Sequence, residues 1–425
     1  MTIHPRTLAI LGAAWLCAAA PRRVLGQGAP DFTRQSRKEV TDSVVRLLEN
    51  LYADADTGRM IARHIRERAA TGVYDTQPDW QHLVRVLTQD LQQVNADSHL
   101  SVDFAAAASA VPGLGFPVHP VEETRRLVGN VGYMRMSSFI GPQAQDGVTQ
   151  AFQLLNGSDA MILDLRNARG GSAGLANYVI SHFTGPDTTL VLIVYNRTTG
   201  DTTRRYTIGN MSVARQPTVP LYILTDDVTR SAAEDASFVL QNLHRAKIVG
   251  GTTAGAGRNN QILSIGHRLV ASISFTRVME PRTRREWERT GVVPDMRTAP
   301  ESALAVAHLA AVKELAVRAT SAPARRELDL VAEALAAASR KPFATGKQLA
   351  RFSGAFEGGQ FITVANGALV YQPRVHQPRV SLVQLSANEF ADGASRYRFA
   401  GDGAAQTMMI TAPNGTASTY RRVPQ

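Results

Sequence analysis

The stretch "VPLYILTDDVTRSAAEDASFVL", residues 219–240, carries an apolar strand into a helical pattern with Ser231 at the junction. A hydroxyl at such a place does one of two kinds of work. It can cap the helix, because Glu234 follows three residues later in the capping-box pattern. It can also act as a nucleophile, because a helix N-terminus behind a buried strand offers unbonded amides that favour developing negative charge. On that second reading the N–H of Ala232 is an oxyanion donor. A second donor comes from "DLRNARGG", residues 164–171, where Gly170 and Gly171 lack side chains that block a carbonyl. A plain flexible loop is the alternative for these glycines.

A serine hydroxyl needs a base. Ten histidines are available. Most of them lie in helical patterns, helix ends or turns, where surface or packing roles are the ordinary expectation. His99 stands apart, because "NADSHLSVDF" leaves a helical region and enters the next segment with Asp97 and Ser98 just before the ring. Cysteine chemistry is absent from the mature chain: Cys17 is the only cysteine and falls in the N-terminal apolar run, so no disulfide, thiolate or cysteine metal site is expected. No histidine or second carboxylate recurs at metal-ligand spacing near Asp226 and Asp227, so no cofactor or metal is expected.

The elements that must position these residues follow from periodicity. Residues 1–27 read as an export signal, with an apolar run from Leu8 to Ala20 that is shorter than the ~20 residues a membrane span needs. Its removal takes Arg6, Arg22 and Arg23 and lowers the formal charge from +10 to +7. The arginines are scattered, which argues against nucleic acid as a partner. Residues 31–100 show apolar positions three and four apart in three runs and predict a small helical domain. Residues 120–319 alternate strands and helices, the pattern of an α/β core with helices on both faces of its strands. "LVLIVYN" and "HRLVASISFTRVM" are each expected as one strand of that core. Residues 343–425 carry short strands between Gly, Asn and Asp turns and predict a separate β-rich domain of accessory or assembly role.

In their order, "NADSHLSV", "VGYMRMSSF", "ILDLRNARGG", "LTDDVTRSAAEDASFVLQNLHRAKIVGGTTAGAG" and "WERTGVVPD" resemble the C-terminal processing, or tail-specific, serine peptidases over about residues 35–315. The closer match is to the tricorn core and interphotoreceptor retinoid-binding branch. The resemblance implies a ClpP/crotonase-like core in which Ser231 is the nucleophile and His99 the base. It further implies that Ser98 and Glu288 orient and polarise the site, Glu288 by way of Ser98. Two departures matter. Relatives with a Ser/Lys dyad carry a lysine in the turn after the nucleophile helix, where "GGTTAGAGRNN" has Ala256. The short stretch between His99 and Val131 also cannot build the PDZ domain that many processing peptidases place there. The expectation is an exported, periplasmic or secreted peptidase acting on peptides or unfolded proteins, with homo-oligomerisation left open. A non-catalytic protein that binds hydrophobic ligands or peptides, or an esterase-like acyl hydrolase, is the alternative.

Overall fold

The computed structural model describes residues 31–105, 119–141, 143–344, 346–401 and 404–424; the expected export segment 1–27 lies outside them. Helices Arg34–Leu51, Ala55–Ala70 and Trp80–Gln93 begin at Thr33, Asp54 and Asp79, each of whose side chains accepts a backbone N–H of the first turn. Their apolar stripes meet through Val40, Val44, Leu48, Ile61, Leu83 and Leu87, all fully buried. This cluster is completed from far along the chain by Leu269, Ala271 and Ile273. Those residues belong to a three-stranded sheet in which Leu269–Ser274 lies between Ser101–Phe104 and Asn260–Gly266. Three helices alone leave one apolar side open, and a strand pair from beyond the nucleophile covers it.

The central sheet has six strands in the order Met296–Arg297, Lys247–Gly250, Leu221–Thr225, Ala160–Asp164, Val131–Met136 and Val121–Leu127. All neighbours are parallel except the last pair. Alternate residues divide between its faces. Met134, Leu163, Ile223 and Ile248 join the cluster beneath helices Ala144–Leu154, Ala173–His182 and Ala232–Asn242. Tyr133, Ile162, Leu224 and Val249 pack on the other side with Ala303–Arg318 and Ala322–Ala338. The result is a mixed α/β architecture.

Two strand expectations need correction. Leu190–Asn196 does not enter the central sheet but forms a separate antiparallel sheet with Thr202–Tyr206 and Thr276–Met279. "HRLVASISFTRVM" is two strands, because the chain turns at Phe275, whose N–H donates to the Asn259 carbonyl and whose own carbonyl accepts from Arg197 N–H. One apolar run thus serves two sheets, which periodicity alone does not reveal.

The last region is an eight-stranded antiparallel meander from Gly354–Phe356 to Ala417–Arg421. A bridge between Phe356 and Arg422, with Val423 N–H donating to the Ala355 carbonyl at 2.9 Å, brings its end back to its start and nearly closes a barrel. Phe352, Phe356, Phe390, Phe399 and Met408 fill the interior. Among the described residues no helix is long and apolar enough to cross a membrane.

Candidate active site

Ser231 stands at the N-terminus of helix Ala232–Asn242 with φ 53° and ψ −121°, away from the extended geometry of an ordinary N-cap. A non-glycine residue so placed carries strain of about 1–3 kcal/mol and persists only where its surroundings over-determine it. They do here. The Ser231 N–H donates to the Glu234 carboxylate at 2.9 Å, and the same carboxylate accepts Thr253 Oγ1, Gly255 N–H and Ala256 N–H at 2.5, 2.6 and 2.8 Å. Glu234 is fully buried. Burial pushes its proton affinity up, and these four donors oppose that. The glutamate expected as half of a capping box is therefore the hub joining the Ser231 turn to the glycine-rich turn.

The neighbouring strand end locks against the same turn. Asn167 N–H donates to Asp226, Thr229 Oγ1 to the Leu165 carbonyl and Arg230 N–H to the Ala168 carbonyl. Gly170 has φ +83°, and a Cβ there would stand 2.7 Å from Ser231 Cβ and 3.0 Å from Ala232 N. Only glycine allows this approach. Ala232 opens the helix, so its N–H has no intrahelical acceptor. Ala232, Gly171, Ala256, Gly257, Arg258 and Trp287 are among the residues that line a pocket with half-buried Ser231. Ala256, in the glycine-rich turn, forms part of the pocket wall.

His99 lies on the helical side, with its side chain 10% exposed. Its N–H donates to Asp97 Oδ1 at 2.9 Å, and its Nδ1 lies 3.8 Å from that oxygen. Nδ1 is buried and has no hydrogen-bond partner among the described residues. Asp97 is fully buried and accepts the Tyr52 hydroxyl on Oδ2 at 2.9 Å, while Asn95 Nδ2 donates to the Tyr52 oxygen at 2.6 Å. Burial holds the imidazole below its ordinary pKa; Asp97 opposes this, and the Arg230 and Arg258 charges reinforce it. A neutral ring is the form a base needs. Ser98 is exposed, and its Oγ and carbonyl accept Arg230 Nη2 at 2.7 and 3.3 Å. Arg230 precedes Ser231, so this contact fastens the His99 turn to the Ser231 turn. Among the described residues no hydrogen bond joins His99 to Ser231.

Glu288 is buried on the same side. Its Oε2 accepts Gly257 N–H at 2.7 Å, and its Oε1 has no hydrogen-bond partner among the described residues and lies 3.9 Å from Arg258 Nε. Burial, then the Asp97 charge, pushes the carboxyl up to about 7, against the pull of Arg258 and the Gly257 amide. The Arg258 guanidinium stacks over Tyr52 at 5.0 Å. Among the described residues Glu288 makes no hydrogen bond to Ser98 or His99. Asp97 and Arg258 were not anticipated as site residues. Asp97 has a local signal, an acid two residues before the histidine, whereas Arg258 becomes visible only when its turn meets Glu288.

A model of peptidase family S41 matches residues 130–298, and a model of the N-terminal domain of peptidase S41 in eukaryotic IRBP matches residues 32–126. The "Carboxyl-terminal-processing protease" of Synechocystis sp. is 28% identical over 183 residues, 42% of this chain and 40% of that protein. The "Carboxyl-terminal-processing peptidase 3, chloroplastic" of Arabidopsis thaliana is 25% identical over 171 residues, 40% of this chain and 32% of that one. The chain therefore matches less than half the length of these relatives. Among solved structures, a lipoprotein from Streptococcus agalactiae superposes with a TM-score of 0.48 at 18% identity, covering 66% of this chain and 96% of that one. The two family models adjoin along the sequence and take in the Ser231 and Glu288 segments on one side and the His99 segment on the other: the chain belongs to peptidase family S41.

Proposed function

We propose that this chain is a serine peptidase that cleaves peptides or unfolded protein segments through an acyl-enzyme, with His99 as base. The observation that carries the reading is the join between two differently built turns: Ser231 in a strained strand-to-helix corner, and buried His99 fastened beside it through the Arg230–Ser98 contact. Ser231 Oγ attacks the peptide carbonyl carbon as His99 Nε2 takes its proton. The oxyanion is received by the N–H of Ala232 and the Gly170-Gly171 segment. The proton passes to the leaving amine, and water then releases the acyl group. Glu288 fixes the Gly257 turn of the pocket wall, and Ser98 holds the base turn to the nucleophile turn.

A narrow pocket around a half-buried serine favours an extended chain over a folded surface, and the names of the relatives point to processing near carboxyl termini. The core is crotonase-like in this proposal, spanning 120–319 between a helical domain of 31–100 and the β-rich 343–425. The mature protein acts after export, in the periplasm or outside the cell. Hydrolysis of an unfolded protein by the purified chain, followed by mass spectrometry, tests the reading. Cleavage is expected to vanish in Ser231→Ala and His99→Ala while both stay folded; undiminished cleavage by Ser231→Ala would overturn it.

A further inference from the structure

We infer that Asp97 is the positioning residue of the base: its carboxylate holds the His99 ring with Nδ1 protonated and Nε2 facing Ser231, while Glu288 serves the Gly257–Arg258 turn instead. The inference rests on the peptidase reading for its catalytic meaning, but its geometry stands apart from that reading. Asp97 Oδ1 already accepts the His99 backbone N–H at 2.9 Å and is the carboxylate oxygen that faces Nδ1, at 3.8 Å. A carboxylate oxygen has a second lone pair for that ring N–H. Nδ1 has no competing partner among the described residues. Catalytic contacts of this kind are commonly loose in an empty site. Tyr52, itself held by Asn95, fixes the other carboxylate oxygen from the helical side.

Glu288 is engaged elsewhere. One oxygen takes the Gly257 amide, and the other faces Arg258. The charged or titratable groups around the ring are Asp97 from its own turn, Arg230 from the nucleophile turn and Arg258 from the glycine-rich turn; Glu288 and Tyr52 face Asp97. When Nε2 takes the Ser231 proton, the resulting imidazolium keeps Nδ1–H on Asp97, and Nε2–H then passes to the leaving amine. The positive charge that forms in this step is balanced by the nearest anion, which is Asp97.

The test is nitrogen-15 NMR of histidine-labelled mature protein, with the His99 signal assigned by its loss in His99→Gln. The neutral ring is expected as the Nδ1–H tautomer. Asp97→Asn, which keeps the side-chain shape, is expected to lose that preference and to move the His99 titration to lower pH. Its kcat on a cleaved peptide falls about 100- to 10,000-fold with KM little changed. Glu288→Gln moves the titration less. If Asp97→Asn does not fold, Tyr52→Phe replaces it: removing a donor from the carboxylate strengthens the anion's field on His99 and moves its titration to higher pH. An unchanged His99 signal in Asp97→Asn or Tyr52→Phe, or a larger shift in Glu288→Gln, overturns the assignment. Should the NMR result hold while Ser231→Ala still cleaves, the positioning role stands and the peptidase reading falls.

Discussion

Ser231 is held by main-chain bonds on both sides, to Glu234 through its own amide and to the Ala168–Gly170 strand end through its neighbours. His99 is held by one hydrogen bond from its backbone N–H to Asp97 Oδ1, and its Nδ1 has no hydrogen-bond partner among the described residues. The nucleophile belongs to the central parallel sheet, whereas the base belongs to the helical layer, which reaches that sheet through a shared three-stranded sheet and the Arg230–Ser98 contact. A corner whose backbone donors are gathered by one carboxylate of its own helix is set when the sheet and its turns fold. A base built from side chains on another layer is set only when the layers dock, so the two halves of the site should fail differently.

The largest effect is expected at Glu234. Glu234→Ala leaves the Ser231, Gly255 and Ala256 amides and the Thr253 hydroxyl without their acceptor, and each unsatisfied buried donor costs about 1–3 kcal/mol. Urea unfolding should show a loss of about 3 kcal/mol or more, and cleavage should fall to background as Ser231 leaves its strained conformation. Unchanged stability would mean that the nucleophile corner does not depend on this carboxylate.

Gly170→Ala is the narrower version of the same attack. It places a methyl against Ser231 Cβ at a backbone φ of +83°. An ångström of displacement at a reacting group lowers rate roughly 100-fold, and the strain adds about 1–3 kcal/mol of destabilisation. Activity should therefore fall far more than binding of a peptide product; an equal fall in both would place Gly170 in the substrate groove instead.

How much of this was legible differs by element. The strand-to-helix junction at Ser231 stood out because two periodicities change at one residue, and the helical layer and the sheeted tail followed from the same signal. Glu234 was read from local spacing as a cap, since nothing local shows that Thr253 and Gly255 fold back onto it. Asp97 was read only as part of the polar setting that singles out His99, and its burial against Tyr52, distant in sequence, has no local sign. The run through Phe275 concealed two strands because a continuous apolar segment gives no sign of where it changes sheet. The Ser231 junction lies within one local element, whereas the contacts of Glu234, Asp97 and Arg258 arise only where turns distant in sequence meet.

Glu288 separates the layers by pH. Its folded carboxyl titrates at about 7, against an ordinary value of 4.5, so between those values the folded chain binds more protons than the unfolded one and stability falls as pH rises. Glu288→Gln removes this contribution. The variant should gain on the wild type, on the order of 2–3 kcal/mol, as pH is raised from 4.5 to 7. Chemical unfolding at both ends of that window reads the difference. A constant gap between the two proteins would mean that Glu288 titrates as an ordinary surface acid.

The smallest effect tests the join itself. Arg230 supplies the side-chain contact that ties the nucleophile turn to Ser98, and its charge also depresses His99. Arg230→Gln keeps most of the side-chain length and removes the charge. The His99 titration should move to higher pH, and with it the acid limb of the kcat/KM profile, because the ring acts as base only above its pKa. Stability should change by less than about 1 kcal/mol, as befits a partly exposed contact. Docking of the layers and tuning of the base then part company: a moved limb with an unchanged plateau assigns Arg230 to electrostatics, whereas a lowered plateau with an unmoved limb assigns it to holding the His99 turn in place.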